Sequence, residues 1–102
     1  MIDPDDLHRA VEVLRGMAYE HRLHILVVLR DGEATPATIG TRVPAHPTAI
    51  AHHLRHLANA GLIRRRRQGR NVLYGLASDR VGDLIDGVRL FVEGAGVPGQ
   101  AK

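Results

Sequence analysis

The chain has 102 residues, of which 44% are hydrophobic and 25% charged, and it contains no cysteine. This length can bury one hydrophobic core but not two, and the lack of cysteine excludes disulfides, thiolate metal sites and cysteine nucleophiles. The apolar run 25–29 is far shorter than the roughly 20 residues that a membrane-spanning helix needs, and the acidic residues 1–6 are unlike a secretory signal. We therefore expect a soluble, cytoplasmic, single-domain protein.

The net charge of +3 is divided unevenly along the chain. Residues 34–78 contain seven arginines and no acid, a local charge of +7, whereas the other residues carry eleven acids against seven basic side chains, which gives −4. A basic segment between acidic ends favours a polyanionic partner such as nucleic acid. The alternative, a merely solvated basic face, usually mixes acids with lysines, and here only Lys102 among the cationic side chains is not arginine.

The first third of the chain predicts two helices. Asp3 can cap the first helix and Pro4 suits its first turn, and apolar residues then recur at helical spacing to about Ala18. A second helix, at about 21–30, is apolar on most sides and is therefore expected at the centre of the core. The stripe of the first helix comprises Leu7, Ala10, Val11, Leu14, Met17 and Ala18.

The middle of the chain predicts a short helix and a longer one separated by a tight turn. The short helix runs from about 35 to 42, and two prolines in the segment 43–47 bar a continuous helix there. Pro47 suits the first turn of a fourth helix that reaches about Ala60. These are the proportions of a helix-turn-helix motif.

A β-hairpin and a final helix follow. Residues 62–67 and 71–76 read as two strands around the turn 68–70, where Gly69 supplies a positive φ. A last helix begins at Ser78 and carries its own apolar stripe. That stripe comprises Val81, Leu84, Ile85, Val88, Phe91 and Val92.

These elements together predict a mainly α fold with a β-hairpin wing. Four helices, a hairpin and a final helix are the order of a winged helix-turn-helix domain, which we assign to residues 1–93. Residues 94–102, rich in Gly, Pro, Ala and Gln, predict a disordered C-terminal tail.

The fourth helix has an apolar side and a polar side that contains no acid. Ile50, Leu54 and Leu57 share one side of the helix, and the opposite side is suited to the major groove, where side chains near a helix N-terminus meet base edges. Ala49, small and at the edge of that side, permits close approach. The candidates for reading bases are Thr48, His52, Arg55 and His56, with Asn59 on the same side.

The hairpin adds a cluster of cations. In a strand, Arg65 and Arg67 face one way and Arg64 and Arg66 the other, so we expect about half of the run to be solvated or paired with acids of another helix. An arginine at a hairpin tip suits a narrow minor groove. The candidates for phosphate or minor-groove contact are Arg65, Arg67, Arg70 and Asn71, and the alternative is a hairpin that only promotes solubility.

Three segments, in the right order and spacing, resemble the ArsR–SmtB family of repressors. Residues 22–26 (RLHIL) with 29–33 (LRDGE) resemble the family's opening motif, and residues 51–57 (AHHLRHL) with 60–63 (AGLI) resemble its recognition helix and the turn after it. Residues 67–76 (RQGRNVLYGL) resemble its wing. The similarity extends over residues 7–93.

The resemblance implies a homodimeric repressor, joined through the first and last helices and bound to an imperfect palindrome in double-stranded DNA. Ala51 stands where the family has a serine, so one hydroxyl contact is lost, and Thr48 is the candidate to replace it. His53 matches the family's histidine but lies near the buried flank of the helix, which favours a structural role over base contact.

The effector stays open. Many family members sense metals through cysteines near the third helix or through Asp and His on the last helix, but residues 33–37 contain no thiol. The last-helix positions are occupied by four residues that are not plausible ligands: Ser78, Arg80, Phe91 and Gly94. The other candidates for a nickel or zinc site are His8, His21 and His24 and the acids Asp83, Asp86 and Glu93.

Two further points bear on the effector. His52 and His56 also have a metal-compatible i, i+4 spacing, but they lie on the proposed DNA face. Alternatives to a metal are a co-regulator protein, a small ligand, or protonation of the histidines at 46, 52, 53 and 56.

Two other classes of function compete with DNA-dependent regulation. The segment 52–56 has the HxxxH spacing of zinc proteases, but His53 stands where the glutamate base must be, and the acid-free segment has no carboxylate to orient a histidine. The residues therefore argue against an enzyme. A winged helix that contacts protein or RNA without specific DNA readout would show salt-sensitive binding with little sequence preference.

Overall fold

A computed structural model describes residues 1–94. It contains the predicted order of elements: α1 (Pro4–Met17), α2 (Glu20–Arg30), α3 (Pro36–Arg42), α4 (Pro47–Asn59), β1 (Ile63–Gln68), β2 (Asn71–Leu76) and α5 (Asp79–Glu93). The winged helix-turn-helix prediction is confirmed. Of the predicted tail, Gly94 caps α5 through a hydrogen bond from its N–H to the Leu90 carbonyl, and the rest lies outside the described residues.

Four of the helices begin directly after a residue whose side chain caps the first turn. The side chains of Asp3, Thr35 and Ser78 each accept a hydrogen bond from a backbone N–H in the first turn of α1, α3 and α5, as is typical of these residue types. The cap of α4 was not predicted: His46 Nδ1 accepts from the Thr48 N–H at 3.1 Å. This cap sets the start of α4 at Pro47, and Thr48, in the first turn, is the first residue of its polar face.

The second helix is the centre of the core, as its apolar character predicted. Ile25 and Leu26 are fully buried, and α2 contacts α1, α3, α4, α5 and β2. One charged residue is buried with them: Arg22 stacks on the Tyr19 ring at 4.2 Å and donates to the Arg15 carbonyl at 3.3 Å. It thereby joins the end of α1 to the start of α2. No helix in residues 1–94 is long and apolar enough to cross a membrane.

The hairpin is attached to the helical part at its base. β1 and β2 pair antiparallel, with Arg65 opposite Tyr74, and Gly69 in the turn has φ of 62°, a conformation that glycine adopts without strain. Ala34 exchanges two backbone hydrogen bonds with Tyr74, of 3.0 and 2.9 Å. This single-residue bridge was not predicted, and it ties the wing to the loop just before α3.

The apolar stripes of α1 and α5 are largely exposed within one chain. Leu14 is 57% exposed, Phe91 56% and Leu90 70%, whereas Ile85 on α5 is fully buried. Each terminal helix therefore uses part of its apolar surface against α2 and leaves the rest uncovered. The exposed residues are Leu7, Val11 and Leu14 on α1 and Leu84, Val88, Leu90, Phe91 and Val92 on α5.

The contact between α4 and α2 includes two histidines. His53 is half-buried, and its ring meets the edge of the His21 ring with centroids 6.0 Å apart. Burial lowers the pKa of His53, and the positive charges of Arg22, His21, His52 and His56 lower it further. The folded protein therefore favours the neutral form of this imidazole.

We predict that His53→Gln reduces the loss of stability on mild acidification. An unfolded histidine binds its proton below about pH 6.5, whereas folded His53 resists protonation, so its contribution is complete above that pH and is lost as the pH falls through it. Thermal unfolding between pH 7.5 and 5 should show a smaller decline in Tm for His53→Gln than for the wild type. Equal declines would contradict the prediction, and His24→Gln, at an exposed position of α2, is the control.

Candidate nucleic-acid interface

The polar face of α4 is open to solvent, as its sequence predicted. Thr48, His52, Arg55 and His56 are exposed, and Asn59 is exposed with them, while Ile50, Leu54 and Leu57 on the other side are buried. Ala49 is half-buried at the edge of the polar face. Burying the apolar side of α4 against the core is what turns the polar side outwards.

Three histidines on α4 have two different surroundings. The Nε2 atoms of His52 and His56 are 3.2 Å apart, and their rings are nearly perpendicular, with centroids 4.6 Å apart. His53 instead lies against His21 of α2. His52 and His56 therefore present a pair of adjacent imidazoles to solvent, and His53 is part of the packing between two helices.

The arginine run of the wing is divided between its two faces. Arg66 forms a two-pronged ion pair with Glu33, with N–O distances of 2.7 to 3.1 Å, and Arg64 donates to the Ala77 carbonyl at 3.5 Å. We predicted that about half of the run is solvated or paired with acids of another helix; Arg66 is paired, but its acid belongs to the loop between α2 and α3 rather than to a helix. Within residues 1–94, Arg65, Arg67 and Arg70 form no salt bridge.

Glu33 neutralises the wing on one side only. The Arg66 guanidinium, through its hydrogen bonds, lowers the pKa of the Glu33 carboxyl, so this acid stays ionised. Gly75, which pairs with Arg64 across the hairpin, leaves room for the Glu33 side chain. A Cβ atom at position 75 would lie only 2.9 Å from Glu33 Cγ. Within residues 1–94, Arg64, on the same face as Arg66, has no acid partner, and Arg65 and Arg67, which also have none, are on the opposite face, which carries Tyr74.

That face of the wing and α4 line a common groove of about 830 Å³ with α3. Arg55 of α4 and Arg65 of β1 both line it, and small residues keep it open. Sequence patterns did not predict the groove, because three elements that are separate in sequence form it together. The alanines at exposed positions of α4 were the only feature of the sequence that pointed to it. The small lining residues are Ala37, Gly40, Ala45, Ala51 and Ala58.

The predicted metal candidates are not brought together within one chain. His8 lies on α1 near Glu12, at 3.9 Å, and His21 packs on His53. His24, one turn along α2 from His21, is exposed and lines a shallow depression with it. Asp86 is engaged by Arg30, whose guanidinium lies 2.9 to 3.3 Å from its oxygens and lowers its pKa. In the part of the chain that the structure describes, no three His, Asp or Glu side chains form a group that could hold a metal ion.

Comparison with known proteins places these features in a family. No family model matches the chain. It is 35% identical over 78 residues to the transcriptional activator HlyU of Vibrio cholerae, covering 76% of this chain and 72% of that protein. It is 31% identical over 85 residues to the transcriptional regulator NmtR of Mycobacterium tuberculosis, covering 83% and 71%.

A solved structure points to the same class of protein as these sequence relatives. The homodimeric winged helix-turn-helix DNA-binding domain of a possible ArsR-family regulator from Mycobacterium bovis superposes with a TM-score of 0.84 and 25% identity, covering 100% of this chain and 96% of that one. The named relatives are transcriptional regulators rather than enzymes. The chain belongs to the ArsR–SmtB family of DNA-binding winged helix-turn-helix transcriptional regulators.

Proposed function

We propose that the chain is a homodimeric repressor that binds an imperfect palindrome, with α4 in the major groove and the wing against the neighbouring backbone. One observation carries this proposal: Arg55 and Asn59 of the acid-free polar face of α4 and Arg65 of the wing line the same groove. A duplex presents a major groove next to a phosphate backbone, which this combination matches.

In this proposal α4 supplies the base contacts. Arg55 can donate two hydrogen bonds to guanine, and His52 and His56 can donate to base acceptors from the same face. Thr48 lies in the first turn of α4, where the exposed hydroxyl can bond a phosphate or its methyl can pack on thymine. The half-buried Ala49 lets the helix approach closely, and His53, packed against α2, supports the helix from behind.

The wing supplies contacts that do not depend on sequence. Arg65, Arg67 and Arg70 are exposed and unpaired within the described residues, so they are available to phosphates or to a narrow minor groove. Asn71, exposed beside the turn, is the fourth candidate. Arg66 is not assigned to DNA because Glu33 holds it on the other face of the wing.

The apolar stripes of the terminal helices support a dimer, and a dimer accounts for a palindromic site. Exposed Leu14 on α1 and exposed Phe91 on α5 belong to apolar stripes that a second copy would cover, and the Mycobacterium bovis relative is homodimeric. A two-fold dimer presents two copies of α4 to two half-sites. Because its partner is genomic DNA, we place the protein in the cytoplasm.

Repression is the proposed outcome of binding, and no catalytic activity is proposed. Relatives include an activator and a repressor by name, so a promoter-fusion reporter with and without the chain tests the direction. A falling reporter signal on expression supports repression, and a rising one overturns it. The alternative of protein or RNA contact is not favoured, because the relatives are transcriptional regulators.

Arg55→Ala should reduce sequence discrimination. Loss of a two-pronged base contact costs about 1–3 kcal/mol on the specific site, and a scrambled duplex should lose much less. Fluorescence anisotropy on the protein's own upstream DNA and on a scrambled duplex measures both. Equal losses on the two duplexes would remove Arg55 from the base-reading set.

Arg65→Ala and Arg66→Ala should differ although each removes one positive charge. Arg65 faces the groove and is expected to neutralise a phosphate, so its loss should lower the slope of log K against log salt by about 0.9. Arg66 is already paired with Glu33, so its loss should leave the slope nearly unchanged. Equal changes in slope would show that only net charge matters and would contradict the proposed orientation of the wing.

Phe91→Asp should break the dimer. A carboxylate in the apolar surface of α5 would be desolvated by a second copy, which is unfavourable without a partner. Sedimentation should then give a monomer, and the affinity for the palindrome should fall by at least about tenfold. His24→Asp places the same charge at an exposed position of α2 and should remain dimeric; a dimeric Phe91→Asp protein would contradict this interface.

A further inference from the structure

The groove shared by α3, α4 and the wing is more apolar than DNA contact requires. α4 contributes Ala51 and Ala58 to its lining, and α3 contributes Ala37 and Gly40. All four are exposed, so these small residues leave the groove open to solvent. Among the base edges of the major groove the thymine methyl is the main apolar group, and the DNA backbone presents charged phosphates. DNA alone therefore does not account for this apolar surface.

The groove also contains two unpaired cations. Arg55 of α4 and Arg65 of β1 line it, and within residues 1–94 neither forms a salt bridge. Tyr74 pairs with Arg65 across the hairpin, so the two side chains are neighbours on one face of the wing. Among the lining residues that the structure describes, none is Asp or Glu. An anion that enters the groove thus meets a guanidinium from α4 and another from the wing, and no like charge.

The elements that form the groove are held in place by the core and by the backbone. Buried Ile50 and Leu54 anchor α4, and buried Ile39 anchors α3. The two backbone hydrogen bonds between Ala34 and Tyr74 tie the wing to the loop before α3. The volume of about 830 Å³ is within the range of small-molecule sites, about 300–1,000 Å³, which are mostly apolar with a few polar groups that orient the ligand.

We propose that the groove binds one small aromatic carboxylate per chain, with the carboxylate held by Arg55 and Arg65 and the ring against Ala51 and Ala58. Guanidinium groups bind carboxylates through charge-assisted hydrogen bonds that are often two-pronged. The ring buries apolar area against the alanines, and it can stack on a guanidinium plane or on the Tyr74 ring. The apolar lining and the two cations are then both used by one ligand.

A ligand in this groove would compete directly with DNA. Arg55 is proposed to contact a base and Arg65 a phosphate, so a carboxylate that engages both removes one contact of each kind. The ring would also cover α4 at Ala51 and keep a duplex from approaching the helix there. This consequence rests on the proposed function, whereas the binding site itself does not.

Calorimetric titration of the full chain with naphthoate tests the class of ligand. We expect one naphthoate per chain. The uncharged alcohol with the same ring should bind at least about tenfold more weakly, because hydrogen bonds to a charged group are lost. Inorganic phosphate, which has no ring to bury, should also bind at least about tenfold more weakly than naphthoate. Equal affinities for naphthoate and the alcohol, or no saturable binding of naphthoate, would overturn the proposal.

Matched variants test the location of the site. Arg65→Ala should weaken naphthoate binding about tenfold, whereas Arg67→Ala removes the same charge from the same face of the wing, outside the groove lining, and should not. Ala58→Leu should fill the groove and weaken binding about tenfold, whereas His52→Leu places a leucine on α4 outside that lining. Circular dichroism checks that each variant is folded. Equal effects of Arg65→Ala and Arg67→Ala, or wild-type affinity in Ala58→Leu, would place the ligand elsewhere and overturn the site.

Anisotropy with the upstream duplex tests the competition. Naphthoate at about ten times its calorimetric Kd should weaken the apparent affinity of the wild type for the duplex about tenfold, and the same concentration should have much less effect on Ala58→Leu. A duplex affinity that stays constant at saturating naphthoate overturns the competition. A lack of duplex binding already without naphthoate overturns the proposed function and leaves the calorimetric result on the groove intact.

Discussion

Burial of α2 is the constraint on which the other elements depend. Ile25 and Leu26 are fully buried, and every other helix and β2 contact this helix. Since α4 must bury Leu54 and Leu57 in the same core, its polar side has to face outwards. The exposure of this polar face is thus a by-product of hydrophobic burial rather than a separate requirement.

One ion pair makes the two faces of the wing differ in charge. Four consecutive arginines alternate between two faces of β1, and on sequence grounds either face could meet DNA. Glu33 neutralises Arg66 on one face, and Arg65 on the other lines the groove shared with α4. One of the two arginines on the Glu33 face is therefore neutralised, whereas Arg65 and Arg67 on the other face keep their charge, which favours a polyanionic partner on the side of the groove.

The polar face of α4 combines two kinds of chemistry in one turn of helix. Arg55 is permanently charged and offers several donors, whereas His52 and His56 are imidazoles whose Nε2 atoms lie 3.2 Å apart.

The sequence alone determined the elements and their order, because caps, prolines, glycines and apolar periodicity act within a few residues of one another. It also determined that α4 has an acid-free polar side. Only the tertiary structure decided that Glu33 meets Arg66, that Ala34 bridges Tyr74, that Arg22 is buried, and that His53 packs against His21. Each of these pairings joins residues that packing, and not local spacing, brings together, so no periodicity reports them.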